Sequence, residues 1–195
     1  MGDRTSLTLH AGMKGMSENV LLNCKNRSLT ITANVEIPQG GANGVILAQG
    51  GRFGGWSLYF KDGKPIYTYN FLGLQRFNVA AAQAVPAGTA TIRFEFAYDG
   101  GGLAKGGLGT IYVNGTKVAE GRIEHTQPIL FSVDKGADVG MDEATPVTED
   151  YTPSGSAFTG KTIKVTVDVK AVGAGVRAEA AKAGAEAAMK IEAAK

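Results

Sequence analysis

The chain has 195 residues, 44% of them hydrophobic, enough for one packed β domain with an appendage and too apolar for global disorder. Its 28 glycines follow no collagen-like period, so they read as tight turns. The formal charge of +2 is spread without a dense Lys/Arg block, which gives no electrostatic case for a nucleic-acid or anionic-membrane partner. No apolar run is long enough to span a bilayer. The opening Met1-Gly2-Asp3-Arg4-Thr5 is not a signal peptide, so the expectation is a cytoplasmic or periplasmic protein, or a fragment of a longer chain.

Residues 1–25 read as a lead-in, 26–170 as a β-sandwich and 171–195 as an Ala-rich helical tail. Ser28–Ile37 alternates with period two and places Leu29, Ile31, Ala33, Val35 and Ile37 on one face of a strand that Pro38 stops. Val45–Ala48 is a continuous apolar run, read as a short buried strand. Trp56–Phe60 and Pro65–Tyr69 flank Lys61-Asp62-Gly63-Lys64, and Asp-Gly suits a type I′ hairpin because both central residues need positive φ. Thr89–Tyr98 is a further strand, with Ile92, Phe94, Phe96 and Tyr98 on one parity and Arg93 and Glu95 on the other. Residues 99–109 form a Gly-rich loop. It lacks Gly-Lys-Ser/Thr and a following helix, so it is a hairpin connection, not a phosphate loop. Gly109–Val113 and Thr116–Gly121 around Asn114-Gly115 make the clearest hairpin.

Ala137–Met141 reads as a short strand and Phe158–Val169 as the last long one, with Ile163, Val165, Val167 and Val169 on one face. The tail from Val176 holds strong helix formers, with spacings that allow the pairs Glu179–Lys182, Glu186–Lys190 and Glu192–Lys195. Few large apolar residues (Val176, Met189, Ile191) are available to bury. Short strands with Gly-rich turns and no interleaved helices exclude a parallel α/β sheet. They predict an all-β, antiparallel two-sheet sandwich with a C-terminal α-helical tail.

Several stretches together resemble the C-terminal region of bacterial arylsulfatases. They include Lys25-Asn26-Arg27-Ser28, Val35–Gly41, Ala48–Gly51, Gly54–Tyr59, Tyr69-Asn70-Phe71, Gly109–Gly115, Glu143–Val147 and Phe158-Thr159-Gly160. The resemblance spans Asn26 to Val169, roughly three quarters of the chain. It implies a concanavalin A-like (jelly-roll) sandwich and, as partner, a sulfatase catalytic domain in the same parent chain. Sulfatases of this family convert the cysteine of a Cys-x-Pro-Ser-Arg motif to formylglycine and hold a metal with Asp and Asn residues. Here the single cysteine, Cys24, is followed two positions on by Asn26 where the motif needs proline, and the paired-Asp motif is missing. No catalytic residue carries over, and sulfatase activity would belong to the parent chain.

Cys24 alone reads as a small buried hydrophobe or, against that, as a nucleophile. Asp134, Asp138, Asp142, Glu143, Glu149 and Asp150 cluster in a region where sandwich lectins can hold Ca²⁺. The spacing matches no EF-hand loop, such clusters are usually solvated turns, and no cofactor is assigned. The Glu-x-Asp-x-x-Glu strand pattern of glucanases of this fold class does not occur. Trp56, Tyr59, Tyr67 and Tyr69, with Arg52 and Asn70, read first as core or interdomain packing and, against that, as a carbohydrate platform on one hairpin. The main functional expectation is a non-catalytic accessory domain; the alternative is a carbohydrate-binding, lectin-like module, and an independent hydrolase ranks behind both.

Overall fold

A computed structural model describes residues 4–133 and 135–193, without the side chains of 187, 188 and 190–193. In chain order the strands are β1 (Ser6–Leu9), β2 (Leu29–Ile37), β3 (Gly44–Gly51), β4 (Gly54–Lys61), β5 (Lys64–Phe71) and β6 (Gln75–Ala80). They continue with β7 (Gly88–Tyr98), β8 (Gly107–Val113), β9 (Thr116–Ile123), β10 (Ala137–Val139) and β11 (Lys161–Val169); α1 (Ala174–Ala193) follows. All strand pairs are antiparallel, in a six-stranded sheet ordered β1-β11-β2-β7-β8-β9 and a five-stranded sheet ordered β10-β3-β4-β5-β6. This is the expected jelly-roll sandwich. No helix among the described residues is long and apolar enough to cross a membrane.

The core lies between the sheets. Ile31, Ala33 and Val35 of β2, Ile92 and Phe94 of β7 and Val165 and Val167 of β11 face Leu47, Trp56, Leu58, Phe60 and Tyr67 across it. Tyr67 of one sheet stacks on Phe94 of the other with ring centroids 3.6 Å apart. The two-residue turns form as their sequences predict. Asp62 and Gly63 have φ of 52° and 73°, and Asn114 and Gly115 have 50° and 84°, the left-handed pair that a type I′ turn requires. Arg93 and Glu95 point outward from β7, paired at 3.3 Å, with Arg93 also 4.4 Å from the Tyr112 ring centroid.

Four expectations change. Residues 6–9 form β1, and Leu21, Leu22 and Cys24 enter the core, so the lead-in belongs to the sandwich. β6 completes the second sheet, although Gln75-Arg76-Phe77-Asn78-Val79 carries too few apolar residues to stand out. On β11 a bulge between Thr162 and Lys164 shifts the register, so Thr162 turns inward and Ile163 is 41% exposed while Val165, Val167 and Val169 stay buried. On α1, Glu179 is drawn off to the Leu103 amide (2.8 Å), and Lys182 instead lies 4.0 Å from Glu186. The side chains of Lys190, Ile191 and Glu192 are not described and Lys195 lies outside the described residues, so the Glu186–Lys190 and Glu192–Lys195 pairs and the burial of Ile191 are not seen. Val176 is the docking residue of the helix, 5% exposed, whereas Met189 is 71% exposed.

Candidate functional site

Of the two readings of the β4–β5 aromatics, packing is the one the structure shows, and the carbohydrate platform is not on the surface. Trp56, Tyr67 and Tyr69 point between the sheets, and their exposures of 0%, 1% and 5% leave no ring face for a sugar. Trp56 donates its indole N–H to Gln49 (3.0 Å), and the Tyr69 hydroxyl accepts the Gln127 amide (2.7 Å). Tyr59 points the other way, yet it too is fully buried, because residues 142–151 cover that face. Val147 and Tyr151 pack on it, and its hydroxyl bonds to Thr68 (3.0 Å) and Asp150 (2.5 Å). Burial drives the Tyr59 hydroxyl well above the usual phenol range. Asn70 spends its whole amide inside the protein. Its Nδ2, with two protons, lies 2.8–3.0 Å from the carbonyls of Gly51, Arg52 and Val147, so one N–H is shared between two of them, and its Oδ1 accepts from Gly73 N and Arg76 Nη1. Of the six residues only Arg52 is exposed.

The described members of the acidic cluster are likewise consumed by the fold. Asp138 accepts the Gly15 and Glu143 amides. Asp142 holds Lys135, Tyr151 and the Val147 amide, Glu143 pairs with Lys14, Glu149 with Arg76, and Asp150 with Lys61. No group of three or more metal-ligating side chains converges among the described residues, and Asp134 lies outside them. Cys24 is 5% exposed, its thiol bonded to the Leu22 carbonyl, and burial pushes it up to about 12, which leaves no thiolate for nucleophilic chemistry.

The feature best built for binding lies elsewhere. Residues 26–28 entering β2, the turn from Tyr98 to Gly101 leaving β7, and residues 170–176 joining β11 to α1 enclose a cleft of about 210 Å³. Backbone bonds fix its walls. Lys170 N donates to Ser28 O (2.9 Å), and Tyr98 N to Ser28 Oγ (3.1 Å). The Tyr98 hydroxyl donates to Gly102 O (2.7 Å) and accepts the Lys105 amide (3.0 Å), which pins the Gly-rich loop. Asn26, left-handed at φ 57°, accepts the Ala104 amide and donates to the Pro128 carbonyl. Gly100 and Gly101 have φ of 75° and 74°, and a β-carbon on either would meet nothing within 4 Å, so this wall is open backbone. The other wall is the start of α1, seated by Val176 and by Glu179 on the Leu103 amide.

Two basic side chains, Arg27 and Lys170, line the cleft. Arg27 is half-buried, and its Nε is enclosed without a hydrogen-bond partner. Burial lowers its guanidinium below the ordinary value. Neither Arg27 nor Lys170 has an ion-pair partner among the described residues, and no Asp, Glu, His or Cys lines the cleft. Its polar side chains are therefore Asn26, Arg27, Ser28, Tyr98 and Lys170, most of them hydrogen-bond donors. Sequence reasoning missed it because the parts are separated by about 70 residues each. The one local signal was Asn26-Arg27-Ser28, within a stretch already singled out for its resemblance. At the β3–β4 and β5–β6 turns a separate apolar rim is exposed, with Phe53 at 74%, Leu72 at 48% and Leu74 at 81%. Phe53 lies against Gly73, whose β-carbon would be 3.8 Å from its ring.

No protein-family model matches the chain, and no curated protein matches it by sequence. Solved structures do. The CBM40 of the Ruminococcus gnavus IT-sialidase, bound to alpha2,3 sialyllactose, aligns with a TM-score of 0.51 at 12% identity, covering 75% of this chain and 79% of that one. NanB in complex with Optactamide gives 0.57 at 12% identity over 85% of this chain and 26% of its own. A leech intramolecular trans-sialidase with 2,7-anhydro-Neu5Ac gives 0.50 at 10% identity over 88% and 26%. At these identities the likeness establishes the sandwich fold.

Proposed function

We propose that the chain is a glycan-binding module and that the cleft between the sandwich end and α1 holds the sugar. The observation that carries this reading is the cleft, with donors from Arg27, Ser28 and Lys170 around open glycine backbone. The likeness to a sandwich module crystallised with sialyllactose supports it at the level of fold. The test is a glycan array with the intact chain, followed by Gly175→Trp. Gly175 lines the cleft, and a β-carbon there meets nothing within 4 Å, so the indole fills the cleft without disturbing the sandwich. Binding to at least one glycan that the variant loses is expected. An array without binding, or binding indifferent to Gly175→Trp, ends the proposal.

A second reading, an accessory domain packed on an arylsulfatase catalytic domain, rests on the matched stretches and on the apolar rim of Phe53, Leu72 and Leu74. Co-elution with a separately expressed arylsulfatase catalytic domain, lost in a Phe53→Ser/Leu74→Ser variant, supports it; independent elution counts against it.

A further inference from the structure

We propose that the cleft seats an anionic group of its ligand, a sulfate ester or a carboxylate on a sugar, with Arg27 as the seat and Lys170 at its rim. This rests on the glycan-binding reading and names the chemical class that the site selects.

Five of the seven arginines have their guanidinium engaged within the protein. Arg76 is bound by Glu149 and Asn70, Arg93 by Glu95, Arg122 by Asp99, Arg177 by the Val172 carbonyl and Arg4 by the Val20 carbonyl. Arg52 is unengaged but exposed, so water serves it. Arg27 is the exception: half-buried, with Nε shut off and no acceptor within reach. A buried donor left unmade is unfavourable, and a charged one more so, which makes this guanidinium a group waiting for an acceptor. Its flat fork presents paired N–H groups to two oxygens of one anion, the geometry that carboxylates and sulfates offer and a lone hydroxyl does not.

The surroundings point the same way. Lys170 adds a second cation, and the first turn of α1 contains no acidic residue. The nearest acid on that helix, Glu179, is turned away onto Leu103 N. Asp99, the other acid beside Tyr98, is paired with Arg122, so neither Arg27 nor Lys170 has a carboxylate partner of its own among the described residues, and two such cations at one recess and its rim attract anions. The bare backbone of Gly100 and Gly101 allows a ligand to approach more closely than side chains would permit. At about 210 Å³ the cleft is smaller than the roughly 300–1,000 Å³ that encloses a drug-sized ligand, so it takes one charged end of a glycan and leaves the remainder outside.

The test is ¹⁵N NMR on the full chain, following the Arg27 Nε–Hε resonance and the Gly100 and Gly101 amides. The probes are inorganic sulfate, 6-sulfated N-acetylglucosamine, sialyllactose, and the uncharged N-acetylglucosamine and lactose. The charged sugars are expected to shift all three resonances and to weaken with added salt. Arg27→Gln is expected to lower their affinity about tenfold or more, and Lys170→Gln less. Which of the two charged sugars binds more tightly separates sulfate from carboxylate. If the uncharged sugars bind as well as the charged ones, or Arg27→Gln and Lys170→Gln both bind like the wild type, the anion seat is wrong while glycan binding stands. If inorganic sulfate moves Arg27 Nε–Hε but no sugar does, the seat stands and the glycan reading fails. If no probe moves the Arg27 resonance, the inference falls. Arg27 makes no internal bond, so its variant is expected to fold, as the unchanged remainder of the spectrum will show.

Discussion

Replacing Asn70 with alanine separates a structural residue from a ligand contact. The side chain is fully buried and its hydrogen-bonding capacity is filled: two N–H groups shared among three backbone carbonyls, one bond accepted from the Gly73 amide and one accepted from Arg76. At about 1 kcal/mol for each donated proton and for the Gly73 bond, and about 2 kcal/mol for the one with a charged donor, the gross loss is about 5 kcal/mol. Arg52 and Gly73 are exposed, so their backbone groups regain water, and a net destabilisation of about 3–4 kcal/mol follows. For a chain of 195 residues this is a fall in Tm of about 10 °C. Urea unfolding followed by Trp fluorescence measures it, since Trp56 is the single tryptophan and lies in the core. Glycan affinity, measured well below Tm, is expected to be unchanged. A loss under 1 kcal/mol, or a loss of binding with stability intact, would refute this assignment and return Asn70 to the ligand.

Trp56→Ala, which empties the centre of the core, is expected to cost about 3–5 kcal/mol in the same assay. Val167→Thr is expected to cost about 1–2 kcal/mol by burying a hydroxyl, and Ile163→Thr under about 0.5 kcal/mol because the bulge has turned that residue outward; equal losses would disprove the register shift. Burial alone would raise the Asp150 carboxyl, but hydrogen bonds from Lys61 and Tyr59 outweigh it and hold it below its ordinary value. Its stabilising contribution is therefore complete above about pH 4 and is lost as pH falls through the folded value, so Asp150→Asn is expected to flatten the acid limb of a Tm-against-pH curve. Cys24 is expected to resist a thiol reagent such as DTNB in buffer and to react at once in denaturant; rapid native labelling would contradict its burial.

The strands that alternate cleanly could be read from the sequence, as could the hairpins whose turns contain Asp-Gly or Asn-Gly, because their signals are local. β1 and β6 could not: β1 exists through its pairing with β11, and β6 through its place beside β5. The bulge on β11 is invisible to a period-two reading, since Thr162 and Ile163 alternate as an unbroken strand would. The aromatic residues misled for a related reason. Tyr59 has the pattern of an outward-facing ring, and what buries it is Val147 and Tyr151, some 90 residues on. Arg27 shows the converse, one of two basic residues in the tetrapeptide Lys25-Asn26-Arg27-Ser28, whose meaning depends on what fails to pack against it.

β1 and β11 lie side by side, and the Val169 amide donates to the Thr5 carbonyl at 2.8 Å. The strand that opens the sandwich and the one that closes it thus nearly complete a ring. A circular permutant that bridges this edge with a short linker and opens at Asp62-Gly63 has every ladder still available. Lys170, the next residue along, lines the cleft. Any domain tethered ahead of β1 would therefore leave from beside the cleft, so that a sugar held by one of its ends would be presented to that neighbour.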